Sequence, residues 1–253
     1  MKRVRQAALL MLAAGIALTG CGSSGTTQAT HSPTEGTPAQ TSSPAASAQV
    51  SVQLAWSHTG KFFGDTRVWY VAKVTNHGSS PASAALDVRA LDSTGTIVGS
   101  SQETLPNIPA NSDFDFVGYL GGGPGPKLTG TPAKIEVSLA ENAFGRAGSV
   151  FLPMLNTSAV TLTAGNSDTY TDMTHSYDLT AKVTNTTGQP LTLGVTQQVV
   201  LHDQAGQIVG ADTGSSDNVP QNFPPGMSYR ESWTGIPATQ AAARADYTVW
   251  PAS

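Results

Sequence analysis

Apolar and polar positions alternate along most of this chain. Val68, Tyr70, Ala72 and Val74 interleave with Trp69, Val71 and Lys73, and Tyr177, Leu179, Ala181 and Val183 interleave with Asp178, Thr180 and Lys182. A period of two predicts half-buried β-strands. Ala84, Leu86, Val88 and Ala90 continue the pattern, as do Leu193, Val195, Gln197, Val199 and Leu201. Between these runs lie Asn76-His77-Gly78 and Asn185-Thr186-Thr187-Gly188, residues that tolerate the left-handed backbone of a turn. Asp92-x-x-Gly95 and Asp203-x-x-Gly206 fit hairpins closed by a type I turn and a bulge, with Asp bonding its own backbone and Gly at positive φ. Helical periodicity is scarce. Ala238 to Ala245 predicts one short helical turn between strands.

The same pattern is written twice. Ala72-Lys73-Val74-Thr75-Asn76 returns unchanged as Ala181-Lys182-Val183-Thr184-Asn185. Asp92-Ser93-Thr94-Gly95-Thr96-Ile97-Val98-Gly99 is answered by Asp203-Gln204-Ala205-Gly206-Gln207-Ile208-Val209-Gly210, and Asn107-Ile108-Pro109 by Asn222-Phe223-Pro224. Lys134-Ile135-Glu136-Val137 corresponds to Asp246-Tyr247-Thr248-Val249. Four blocks in one order imply tandem domains over 49–140 and 158–253, joined by a linker over 141–157. Strands about ten residues apart, in modules of this size, predict an all-β chain of two Greek-key sandwiches like immunoglobulin domains. One cysteine in 253 residues leaves no inter-sheet disulfide, so apolar packing alone must hold the sheets.

These blocks resemble the FxLYD-type immunoglobulin-like modules of bacterial surface lipoproteins, in which a strand ending Val-x-Asn precedes a strand that runs into Asp-x-x-Gly-x-Ile/Val-Val-Gly. The matching residues are Val74-Thr75-Asn76 with Asp92 to Gly99, and Val183-Thr184-Asn185 with Asp203 to Gly210. The tyrosine expected before the hairpin Asp is Leu91 in one copy and His202 in the other. The resemblance implies a fold and carries no assigned activity.

The N-terminus is of another kind. Lys2, Arg3 and Arg5 precede an apolar run from Ala7 to Ala17, which is too short to span a bilayer and has the layout of a secretory signal. Leu18-Thr19-Gly20-Cys21 resembles the bacterial lipobox, which implies cleavage after residue 20 and a diacylglyceryl group on Cys21. Two acyl chains suffice for stable anchoring, at about 0.8 kcal/mol per buried CH₂. Residues 1–20 are therefore expected to be a signal peptide and the membrane a partner through the lipid on Cys21. The chain is expected at the cell membrane, on its extracytoplasmic side. Residues 21–48 are rich in Ser, Thr, Pro and Gly and lack Val, Leu, Ile and aromatics, so they read as a disordered tether.

Composition narrows the chemistry. Only 12% of residues are charged, and the net charge of -4 supplies no footprint for nucleic acid. His31, His58, His77, His175 and His202 show no metal-ligand spacing, and a lone cysteine makes no thiolate cage. Asp92, Asp203, Asp168 and Asp172 lack the density of a calcium loop, and no G-x-S-x-G elbow occurs. Gly121 to Lys127 departs from a phosphate loop at Pro126 and Leu128 and reads as a loose connection. No catalytic residue, metal or cofactor is expected.

The best candidate binding patch lies where the copies differ, at Phe62 and Phe63, opposite Tyr170 to Met173 in the repeat. Adjacent residues of a strand point to opposite faces, so one ring is exposed or covers an edge. In the structural alternative Phe63 caps its own sandwich and Phe62 packs on the second domain. The expected function is a non-enzymatic surface lipoprotein that presents two modules to an envelope protein or wall polymer. The rival readings are a small-ligand site in the cleft between domains and an envelope hydrolase.

Overall fold

The computed structural model describes residues 49–123, 126–140, 152–166 and 170–252. Cys21, the leader, the tether, Asp168 and most of the linker lie outside these residues. The described residues are all-β and contain no helix. They fall within one compact unit, Ser43–Ser253.

The first copy comprises β1 (Val50–Phe62), β2 (Asp65–Asn76), β3 (Ala85–Leu91), β4 (Ile97–Thr104), β5 (Ser112–Gly121) and β6 (Lys134–Leu139). The second comprises β7 (Asn156–Ala164), β8 (His175–Thr184), β9 (Val195–His202), β10 (Ile208–Ser215), β11 (Ser228–Ala238) and β12 (Arg244–Pro251). Each copy builds two three-stranded antiparallel sheets, ordered β1-β2-β5 and β4-β3-β6, then β7-β8-β11 and β10-β9-β12. The repeat in sequence is thus a repeat in topology. Each sandwich closes its core with apolar residues between its sheets, Val68, Tyr70, Leu86 and Phe114 in the first and Leu179, Val199, Leu201 and Ile236 in the second. These cores draw on residues from Val50 onward, so Ser43–Ser253 holds the apolar groups its own folding requires.

The repeated turn chemistry is explicit. The Asp92 carboxylate accepts from the Thr94 and Thr96 amides at 2.8 and 3.0 Å, while Gly95 sits at φ 87°. Asp203 accepts from the Gln207 amide at 2.8 Å, with Gly206 at φ 80°. Bonds to the Thr94 hydroxyl, then to the backbone amides, hold the Asp92 carboxyl below its ordinary pKa.

The repeated asparagines have a different role from the one expected. Neither Asn76 nor Asn185 takes a left-handed backbone; both are fully buried. The Asn76 amide donates to the carbonyls of Ser80, Ile108 and Pro109 at 2.9, 3.1 and 3.0 Å and accepts from the Gly78 N–H. Asn185 donates to Gln189 and Phe223 at 2.8 Å and accepts from the Thr187 N–H. These side chains pin the buried plugs Ile108 and Phe223, which explains why the Asn-Ile-Pro and Asn-Phe-Pro blocks recur with them.

Three other expectations are corrected. The stretch Ala238 to Ala245 forms no helical turn: Ala238 ends β11, bends follow, and β12 begins at Arg244. Leu193 precedes β9 and is exposed, so the alternation overran the strand by two residues. Strands β2 and β9 are buried on both faces, because Val71 and Val117 of the first sandwich pack against Val200 and Ala211 of the second.

Candidate functional site

Contact between the sandwiches is fixed by a side chain that imitates a strand. Gln198, on β9, accepts from the Val117 N–H at 2.9 Å and donates to the Asp115 carbonyl, engaging the free edge of β5. Beside it the Asp115 carboxyl is held above its ordinary pKa by burial, partly offset by Lys73. Trp250 of the second sandwich reaches into the first core, edge-on to Phe114 with ring centroids 6.1 Å apart.

Phe62 and Phe63 divide the labour in the sense opposite to the structural alternative. The Phe62 ring stays in its own sandwich under the Arg67 guanidinium, which lies 3.4 Å from its ring centroid and 4.2 Å from that of Tyr119, while the Phe62 backbone bridges Thr171 of the second copy. Arg67 also donates to the carbonyls of Gly121 and Gly122, so the described start of the glycine-rich connection is held in place. Burial lowers the Arg67 pKa. Phe63, at φ 51° in the β1–β2 turn, is 64% exposed and stacks on Tyr170 of the second sandwich at 4.2 Å. Its N–H donates to the Tyr170 carbonyl at 2.8 Å. The pair is a clasp between the two copies.

The described histidines stay apart. His77 meets Ser51, His175 meets Thr174, His58 lies 3.8 Å from Asp172 and His202 lies 2.9 Å from Asp246. Among the described residues no three metal-ligating side chains come together, and no helix is long and apolar enough to cross a membrane.

A concave feature lies at the open side of the first sandwich, the seam between β4 and β5. A cleft of about 680 Å³ is walled there by Glu103 and Thr104 from β4 and by residues 116–119 of β5. Its opposite wall comes from the second sandwich: Gly194 to Thr196, Thr213 to Ser216, Trp250 and Ala252. An adjoining groove of about 280 Å³ is lined by Leu152, Pro190, Leu191, Leu193 and Pro251, among others.

Pairing register shows why the cleft exists on one side only. Thr75 pairs with Asp113 as Thr184 pairs with Ser228, so Phe116 and Glu231 hold equivalent positions three residues on. In the second sandwich the fully buried Glu231 carboxylate accepts from the Ser216 hydroxyl and from the Asn218 amide at 3.0 Å. That draws the chain after β10 across the seam and closes it. Phe116 offers no such acceptor, and the first seam stays open. The alternation of apolar residues carried no sign of this. Only the mismatch of Phe against Glu at one repeat position could have pointed to it.

The fold and site together define an all-β chain of two like sandwiches with a cleft at their junction. No family model and no curated protein sequence matches it. Over 74% of its length the chain is similar to a solved structure, red sea bream transglutaminase, at 14% identity and a TM-score of 0.22. It spans 27% of that chain, and a likeness of this degree carries no argument about activity.

Proposed function

We propose that the chain is a lipid-anchored binding protein of the cell surface, without catalytic chemistry, whose ligand lies in the cleft along the β4–β5 seam. The observation that supports this reading is the origin of the walls: neither sandwich forms the cleft alone. Ligand sites favour such junctions, in volumes of about 300–1,000 Å³. The clasp of Phe63 on Tyr170 and the Gln198 bridge hold the walls in register, which limits the ordering a ligand must impose. A lipid on Cys21 would present the cleft to envelope proteins or wall polymers.

Gly214 supplies the test. A Cβ there meets nothing within 4 Å and its φ is ordinary, so Gly214→Trp fills the cleft without straining the strand. Thermal unfolding of residues 43–253 is measured with fractionated envelope extract, in wild type and in the Trp variant. A fraction that raises Tm in wild type alone supports the reading; equal shifts, or none from any fraction, overturn it. Anchoring is tested separately, by release of Cys21→Ser from the membrane fraction.

A further inference from the structure

We infer that the cleft takes an uncharged, hydroxyl-rich ligand, a saccharide segment. This rests on the reading that the cleft is the binding site, and it is carried by the character of the walls. No Lys, Arg or His lines the cleft, so phosphate or carboxylate would meet no counter-charge in a chain that is already net negative. Glu103 is the one carboxylate, placed at the rim with the Tyr70 hydroxyl 3.5 Å away. One carboxylate suits hydroxyl donors, since a charge-assisted hydrogen bond to it is about twice as strong as a neutral one.

Hydroxyls complete the polar set. Those of Thr213 and Ser216 are committed to the Gln197 carbonyl and to Glu231. Thr104 stands on one wall, and Thr196 and Ser215 stand on the other, directly opposite each other on β9 and β10. Such cross-strand neighbours lie about 5 Å apart on one face, a spacing that serves the successive oxygens of a polyol. Above Gly194 and Gly214 there is open space, so a ligand can reach the backbone between them. Apolar surface comes from the buried edges of Phe116 and Trp250, the half-buried Tyr119 ring, and Pro126, exposed Leu193 and Ala252 around them, and it can meet the C–H faces of a sugar. A peptide added along the β5 edge would use one wall and leave the hydroxyls of the other unpaired, so a saccharide accounts for more of the site.

The test uses residues 43–253 labelled with ¹⁵N-glycine, followed by NMR during titration with maltotriose, tri-N-acetylglucosamine, inorganic phosphate, spermine and a Thr-Val-Thr-Val-Thr peptide. The expected result is movement of the Gly118, Gly194 and Gly214 amides with at least one trisaccharide and with none of the other probes. Glu103→Gln, which keeps the shape, should weaken that binding about tenfold, and Gly214→Trp should abolish it. Movement of the cleft glycines with phosphate, spermine or the peptide, and not with a saccharide, overturns the ligand class and leaves the cleft reading standing. Silence to every probe overturns the class as well. The cleft reading itself falls only if the envelope-extract shifts also fail to depend on Gly214.

Discussion

The two seams of this molecule began from the same blueprint and ended differently. At the β10–β11 seam a buried carboxylate gathers Ser216 and Asn218 and seals the sandwich. At the β4–β5 seam Phe116 holds the equivalent place, the strands stay apart, and the second sandwich leans over the gap to make a cleft. A duplicated fold gains a cleft here by leaving one copy unfinished, because an open sandwich edge offers backbone and rim side chains that a closed one consumes.

The difference breaks most severely at Glu231. Glu231→Ala removes a fully buried carboxylate with its two hydrogen bonds to half-buried Ser216 and exposed Asn218, and unfolding in urea should show a loss of about 3–5 kcal/mol. A loss below about 1 kcal/mol would mean that the second seam closes without it.

The asparagines test the opposite point, that the copies are alike. Asn76→Ala and Asn185→Ala each remove four hydrogen bonds made by a fully buried amide, including those to the buried Ile108 and Phe223 carbonyls, so each should cost about 3 kcal/mol, with similar values in the two sandwiches. A twofold disparity would show that the plugs are not equivalent.

Gln198→Ala acts on the junction. It frees the Asp115 carbonyl and Val117 N–H for water at a loosened interface, with an expected loss of about 1–3 kcal/mol. Hydrogen exchange at Val117 should rise with it; unchanged exchange would remove Gln198 from the contact.

Alkali sharpens the contrast by titration. Burial pushes Tyr229 up to about 12 and holds Tyr247 and Tyr70 higher still. A tyrosine whose pKa is raised on folding contributes stability that is complete below the unfolded value of about 10 and is lost as pH climbs through the folded one. Stability should therefore decline from about pH 10 upward, more steeply in the second sandwich, which holds two of the three. Tyr229→Phe should flatten part of that decline in pH-resolved urea titrations. The smallest effect is expected at Phe63→Ala, under about 1 kcal/mol, because half-exposed stacked rings contribute little beyond their area.

Much of the fold was legible along the chain. Asp92 with Gly95, and Asp203 with Gly206, announced their hairpins because a turn is a contract among neighbours. The alternation in β2 and β8 announced strands for the same local reason. In the sequence the asparagines look only like turn formers, because a side chain's distant carbonyl partners leave no mark nearby. Leu193 fits the two-residue period by its apolar character, although it lies outside β9 and is exposed.

The candidate site was legible only in fragments. Phe62 and Phe63 stand out in the sequence as an aromatic pair where the copies differ. The strand, however, ends at Phe62, Phe63 turns at φ 51° and the two rings meet edge-on with centroids 4.7 Å apart. Which ring reaches Tyr170 depends on how one sandwich lies against the other. A cleft between the domains is among the readings the sequence allows, but its lining is not legible there, since its walls come from segments about a hundred residues apart.

By itself, then, the order of residues set the strands, the hairpins and the duplication, all of which arise from interactions between near neighbours and from the two-residue period of a pleated backbone. Tertiary structure alone decided that β2 and β9 bury both faces, that a glutamine side chain would serve as an edge partner, and that one seam would remain open. Those outcomes depend on which surfaces meet, and contact between distant surfaces is settled by complementarity in space, for which a linear pattern has no symbol.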